Sequence, residues 1–318
     1  MMPSSFEEFK RLLDESVGLI EASSVSSLKP NESENIGVPD NIETIVDTNS
    51  LLVRCEQACQ KHSSRKPTIR IIHHLACSGG TLISKCMSAM PNVFLLSEVH
   101  PYSDLALGRE KPKYSPSDIV SLSKYASVPN QKTLAKKIFK QSIDAVFEHV
   151  HESGGHLVLR DHTHSDFNVS EKLPQKSVVS QILSESYDVK SILTIRNPID
   201  AYASLVKNNW VHFSPKSFEE YCRRFLVLVS QFSDDEIFLY EDFTAKPHNE
   251  MMKMTEKLNL PYDESFDILY PIFRVTGDSG RSSNIIGPRS RRQLDEAYQN
   301  EIKMSESFPK ISAKFGFN

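Results

Sequence analysis

From Ile69 onward, short β-branched apolar runs alternate with longer segments of helical spacing, and this alternation restricts the fold more than any other feature of the chain. Residues 69–74, 93–97, 156–160, 190–196 and 236–240 read as strands. Residues 81–89, 133–151, 177–187, 218–232 and 247–258 read as the helices between them. A strand that is followed by a helix before the next strand pairs in parallel, with its connection packed on a sheet face. The expectation is therefore a three-layer α/β domain, a parallel sheet with crossover helices, over residues 67–318. Residues 1–66 read as a helical N-terminal extension and linker: an amphipathic segment at 1–22, a Ser-, Asn-, Glu- and Pro-containing stretch at 23–45, and a short helix near 50–61. Residues 101–130 form a proline-interrupted insertion with one short helix at 117–124, and a helix is expected at 293–303.

Two strand ends carry anion-handling chemistry. Behind the first strand, Leu75-Ala76-Cys77-Ser78-Gly79-Gly80-Thr81-Leu82 is a small-residue turn opening a helix. Its backbone amides can converge on a phosphate or sulfate at the helix N-terminus. It is not a Walker A loop, because no Gly-Lys-Ser/Thr triplet is present. The fourth strand ends in Arg196-Asn197-Pro198-Ile199-Asp200, with Ser204 eight residues after the arginine. Asn197 suits an N-cap, Pro198 the first helical position, and Asp200 the positive end of the helix dipole. Arg196 and Ser204 can then serve one phosphate from a strand end and the helix that follows it. Taken alone, either segment also suits a capped βα corner with no ligand.

Composition narrows the partners. Against 37 basic residues stand 41 acidic ones, a net charge of −4, which argues for small anions rather than nucleic acid. The five cysteines (Cys55, Cys59, Cys77, Cys86, Cys222) contain no Cys-x-x-Cys pair and suit a reducing compartment. No apolar run approaches the ~20 residues of a membrane span, and the start does not read as a signal peptide, so a cytoplasmic location is expected. His162-x-His164 and His149-x-His151 lack a third ligand at metal-like spacing, and no metal is expected.

In this order the motifs resemble the sulfotransferase family, whose donor is 3′-phosphoadenosine 5′-phosphosulfate (PAPS) and whose product is the 3′,5′-bisphosphate (PAP). The resemblance covers roughly residues 69–292 and includes Tyr240-Glu241-Asp242-Phe243, the proline-started helix at Pro247, and Gly277-Asp278-Ser279-Gly280-Arg281-Ser282, similar to the family's loop over the nucleotide. It implies a P-loop-like fold in which Cys77, Ser78, Gly79, Gly80, Thr81 and Leu82 frame the phosphosulfate. Arg196 and Ser204 would hold the 3′-phosphate, and Arg281 and Ser282 the closing loop. The position of Cys77 is commonly a cation in the family, so a thiol there requires a displaced positive charge, with Arg160 as the first candidate and Lys85 as the second.

Sulfuryl transfer asks for in-line geometry, stabilised equatorial oxygens and a base for the acceptor proton. Arg160-Asp161-His162 resembles the family's Lys-Thr-His strand end, with His162 as base. Glu98, after the second strand, resembles the glutamate used in other branches, and both remain open. The implied reaction is PAPS-dependent transfer to a hydroxyl on a carbohydrate or small metabolite. Alternatives are a PAP- or PAPS-binding protein with impaired catalysis and, with the P-loop lysine missing, a nucleotide kinase. Tyr202, Trp210 and Phe213 could line the acceptor site or pack the core, and Arg289, Arg291 and Arg292 could attract an anion or form a solvated face.

Overall fold

The computed structural model describes residues 66–103, 118–169, 171–275, 285–288, 290, 291 and 293–318, together with 11, 14 and 15. The chain divides into two units, Met1–His62 and Ser63–Asn318, and the second holds every element below. Apart from residues 11, 14 and 15, the expected extension helices, with Cys55 and Cys59, residues 104–117 of the insertion, and the 276–284 loop lie outside the described residues.

Five parallel strands form one sheet in the order β2-β3-β1-β4-β5: β1 Thr68–His74, β2 Val93–Val99, β3 His156–Asp161, β4 Asp188–Ile195 and β5 Ile237–Leu239. Between and after them run α1 Gly80–Ser88, α2 Ile119–Tyr125, α3 Gln131–Glu152, α4 Thr163–Phe167, α5 Val178–Leu183, α6 Pro198–Lys207, α7 Phe218–Val229, α8 Tyr240–Ala245, α9 Pro247–Leu258, α10 Phe266–Leu269, α11 Glu296–Met304 and α12 Phe308–Phe315.

The period-two alternation of the strands builds the three layers. Ile72, Val158, Ile192 and Phe238 face one way and pack with Leu82, Ile83 and Met87 of α1 and Met251, Met254 and Leu258 of α9. Their neighbours face the other way. Ile71, Leu157 and Leu159 meet α3 and α5, while Leu193, Ile195 and Ile237 meet α6 and α7. Ile71 and Ile72 are both fully buried, so truncation of either to Ala costs about 2–5 kcal/mol.

Chain order places the functional region. The chain leaves β1 for β2 on one side, returns through β3, and crosses to β4 on the other, so the direction of winding reverses around β1. Ligands of open α/β sheets bind at the carboxyl ends of the strands at such a reversal.

Several boundaries differ from expectation for local reasons. β2 runs on to Val99 through a register shift between Leu96 and Val99, so Glu98 lies inside the strand instead of beyond it. The 177–187 helix stops at Leu183 because β4 pairs with β1 from Thr68 onward and recruits Asp188. Tyr240 opens α8 instead of ending β5. Unforeseen α12 has Phe308, Ile311 and Phe315 at helical spacing, all packed into the cluster around α7. Among the described residues no helix is long and apolar enough to cross a membrane.

Candidate functional site

The turn between β1 and α1 is held by its own main chain and by two close approaches. Gly79 has φ +86° at the N-cap of α1, and a Cβ there would run into the ring of Tyr240. A Cβ on Gly80 would strike the imidazole of His74. Ser78 donates its hydroxyl and its N–H to the Leu75 carbonyl. Cys77 has φ 66°, an uncommon left-handed conformation for a residue with a side chain. Leu82 packs its side chain into the core and donates its N–H to the Gly79 carbonyl at 3.0 Å. The first N–H groups of α1 carry the positive end of the helix, the place where this fold type receives an anion.

Arg160, near the end of β3, brings the guanidinium to this helix start. Its Nη2 lies 3.2 Å from the Thr81 hydroxyl and 2.7 Å from Glu98 Oε1. Its Nη1 donates to the Ser97 hydroxyl at 3.0 Å, and its Nε to His74 Nε2 at 2.7 Å. The sequence-expected Arg160 and Thr81 are thus joined, and beside them stand His74 of β1 and Ser97 of β2, which sequence reasoning did not single out. Lys85, the second candidate for a displaced cation, lies in the last turn of α1, away from the helix N-terminus.

Glu98 and His162 form one unit. The Glu98 Oε2 is 3.3 Å from His162 Nδ1, while its Oε1 faces Arg160 and lies 3.8 Å from His74 Nε2. The register shift in β2 puts Glu98 at φ 60°, which turns its side chain into the cluster. Burial raises the Glu98 carboxyl above its ordinary range, and the Arg160 charge opposes that rise. Burial lowers His162 to about 4, helped by the nearby His100 and Arg160 and opposed by Asp161. At neutral pH His162 is therefore an uncharged imidazole.

The second anion segment is built as its spacing predicts at the helix start. Asn197 caps α6 by accepting the Ile199 N–H at 3.0 Å, with Pro198 at the first helical position and Asp200 in the first turn. Arg196 crosses to the first loop, where its Nη1 donates to the Cys77 carbonyl at 3.2 Å, and its guanidinium lies 5.2 Å from the centre of the Tyr240 ring. Ser204 donates its hydroxyl to the Asp200 carbonyl one turn back. Asn208, one turn further along from Ser204, approaches Cys77 Sγ with Nδ2 at 3.8 Å. Segments separated by more than a hundred residues thus share one loop.

A layer of polar groups supports the strand ends. His73 donates Nδ1–H to Asp161 Oδ2 at 2.9 Å and accepts at Nε2 from Ser180 and Ser191. Burial pushes the Asp161 carboxyl up, but hydrogen bonds from His73 and Ser177 leave it below its usual range. His100 accepts the Tyr102 N–H and donates to Asp166, whose other oxygen accepts the Val178 N–H. His164 is lowered to about 3, chiefly by burial. Because each of His73, His100 and His164 has protein partners of its own, the histidines read as a hydrogen-bonded scaffold. Among the described residues no three His, Cys, Asp or Glu side chains are grouped to hold a metal ion.

The remaining expected residues separate. Tyr202 and Phe213 belong to the buried cluster around α7, and the Arg224 guanidinium covers the Phe213 ring. Trp210 is 37% exposed beyond the end of α6. Arg291 pairs with Asp200 at 3.4 Å, so its charge is engaged on α6. Arg281, Ser282, Arg289 and Arg292 lie outside the described residues.

Neither a family model nor a curated protein matches the chain by sequence. Solved structures do match by shape. The sulfotransferase domain of the curacin biosynthetic pathway superposes with a TM-score of 0.50 at 15% identity, over 80% of this chain and 99% of that one. The sulfotransferase domain of the Synechococcus PCC 7002 olefin synthase gives 0.48 at 14% identity, over 80% and 96%. The mouse sulfotransferase SULT7A1, complexed with PAP, gives 0.40 at 11% identity, over 79% and 89%. With a five-stranded parallel sheet in the order 2-3-1-4-5 and helices on both faces, this chain has the fold of a sulfotransferase domain.

Proposed function

We propose that this chain is a sulfotransferase that moves a sulfuryl group from PAPS to an acceptor hydroxyl on a carbohydrate or small metabolite. The observation that carries the reading is the reach of Arg160 to Thr81: with a thiol at Cys77, a guanidinium from β3 stands at the start of α1. The residues fit an anionic donor. Gly79 and Gly80 keep the turn free of side chains, Ser78 and Thr81 supply hydroxyls, and the helix start supplies positive potential. Arg196 reaches the same loop from the corner between β4 and α6 and, with Ser204 of α6, would take the 3′-phosphate, with Arg281 and Ser282 proposed as the closing loop.

The transfer itself breaks the sulfur–oxygen bond to the donor phosphate and forms one to the acceptor oxygen, with little covalent work for the protein. Arg160 would stabilise the sulfonate oxygens. Of the two base candidates, the geometry supports His162: its Nδ1 lies 3.3 Å from Glu98 Oε2, and a proton held on Nδ1 would leave Nε2 the lone pair that takes the acceptor proton. Glu98 then acts as the orienting carboxylate, both of its oxygens already being directed at Arg160 and His162.

The Arg160–Glu98 ion pair also supports a second reading, a nucleotide-binding protein with impaired catalysis, since Glu98 already takes part of the charge that replaces the missing loop cation. A nucleotide kinase fits less well, because the loop from Leu75 to Leu82 holds no lysine. Titration with PAP against 5′-AMP and ATP tests the donor site. Preference for the bisphosphate, lost in Arg196→Ala, supports it, and equal affinity for 5′-AMP rejects it. Transfer of labelled sulfate to a panel of hydroxyl acceptors then separates an enzyme from a binder.

A further inference from the structure

We propose that His74 is a positioning residue, a neutral imidazole that holds the Arg160 guanidinium against the start of α1 and leaves its positive charge undiminished. The inference rests on the donor-site reading above and adds to it a residue outside both anion segments.

His73 and His74 are adjacent on β1 and therefore face opposite sides of the sheet. His73 meets Asp161, Ser180 and Ser191 on one side, and His74 meets Arg160 and Gly80 on the other. The hydrogen bonds of His74 leave one consistent tautomer. Its Nδ1 is 2.9 Å from the Leu75 carbonyl, which can only accept, so Nδ1 carries the proton. Its Nε2 is then a lone pair, and it receives the Arg160 Nε–H at 2.7 Å. A proton on Nε2 would set two donors against each other in a buried site.

The groups facing this ring keep it neutral. Burial disfavours a second proton most and the Arg160 charge from β3 next, against the hydrogen bond to the Leu75 carbonyl, which favours it; His162 and His164, beyond β3, are themselves lowered and neutral. Glu98 from β2, 3.8 Å from Nε2, is the opposing charge, and it is already directed at Arg160 and His162. The ring is also fixed in place, because Gly80 at the start of α1 lies against it closely enough to exclude a Cβ.

A neutral acceptor differs from a carboxylate at the same place. Arg160 already shares Nη2 with Glu98, and a second carboxylate on Nε would draw further on the charge that the loop lacks at Cys77. The imidazole satisfies the buried Nε–H without adding a negative charge, and it aims the two Nη groups at Ser97 and Thr81.

The test uses the full chain with His74→Gln, which keeps a neutral acceptor, and His74→Leu, which removes it, with Arg160→Met as reference. By analogy with outer-shell partners elsewhere, His74→Leu should weaken PAPS binding about 10–100-fold. PAP, which has no sulfonate, should bind as to the unmodified chain, and His74→Gln should retain most PAPS affinity. Adding His74→Leu to Arg160→Met should cost nothing more. Equal loss of PAP and PAPS, or no loss, overturns the proposal. If the unmodified chain binds neither nucleotide, the donor-site reading fails separately. Nitrogen-detected imidazole spectra then decide, and they also decide if His74→Leu does not fold. His74 should stay in the neutral Nδ1–H form through the pH range in which an ordinary histidine titrates, with its Nε2 signal displaced in Arg160→Met. An ordinary histidine titration, or an Nε2 signal indifferent to Arg160, overturns the assignment.

Discussion

The Arg160 Nη2 lies 3.2 Å from the Thr81 hydroxyl, joining the end of β3 to the first turn of α1. Arg160 is buried and directed by His74, Ser97 and Glu98, so its position does not depend on a flexible loop. If its charge replaces a cation missing at Cys77, a new cation on the loop should compensate for its removal. Arg160→Met should weaken PAPS binding about 10-fold or more, and Cys77→Lys in that background should restore part of the loss. Calorimetry on the single and double variants reads this. No recovery would mean that the charge is needed at the β3 position itself.

The His162–Glu98 pair separates base from orienting group. His162→Gln should lower kcat by about 10²–10³, as expected for loss of a general base. Glu98→Gln keeps a hydrogen-bond acceptor for Nδ1 and should cost about 10-fold, with PAP affinity unchanged in both variants. Steady-state kinetics with labelled PAPS measures the difference. A larger loss at Glu98 than at His162 would reverse the assignment.

Arg196 is the contact between the α6 corner and the Cys77 carbonyl. Charge-assisted hydrogen bonds contribute about 1.5–3 kcal/mol, so Arg196→Ala should weaken PAP binding about 10–100-fold. Affinity for 5′-AMP, which lacks the 3′-phosphate, should change little. Competitive titration of the two nucleotides checks both halves of the statement.

The turn should not accept a methyl group at Gly79. Its left-handed φ of +86° and the Tyr240 ring in the path of a Cβ together put Gly79→Ala at about 2–4 kcal/mol of destabilisation. The unfolding temperature should fall by roughly 5–10 °C. An unchanged midpoint would show that the Tyr240 ring gives way without cost.

Acid should destabilise the domain through its buried histidines. His162 is lowered from 6.5 to about 4, and His74 and His164 are lowered as well. Below about pH 6.5 the unfolded chain binds protons that these native imidazoles refuse, so protonation favours unfolding. The contribution is fully present above that pH and is lost as pH falls toward the folded values. For His162 alone the change is on the order of 3 kcal/mol. Asp161, held below its usual range, adds a loss of the same sign at still lower pH. Denaturant midpoints between about pH 7 and about pH 4 follow this directly, and a flat profile would contradict the assigned neutral states.

The parallel sheet was legible because each strand carries its own β-branched run and each crossover its own 3.6-residue period. The α6 corner was legible for the same kind of reason. An N-cap, a proline and a first-turn acid act within a few residues of one another, and Asn197, Pro198 and Asp200 perform those roles in the structure. The end of β2 was not legible. The register shift that turns Glu98 inward is set by pairing with β3, more than fifty residues away.

His74, Ser97 and Asn208 were missed for a related cause. A histidine, a serine and an asparagine have no spacing signature of their own; what distinguishes them is a partner brought in from another strand or helix. The His73-His74 doublet at a strand end was the one available signal, since adjacent strand residues must serve opposite faces. Local sequence thus determined the strands, the helices, the capped corner and the residue types present for anion chemistry. Tertiary structure decided which of them meet, because a guanidinium finds its carboxylate, imidazole and hydroxyls only when β1, β2 and β3 lie side by side.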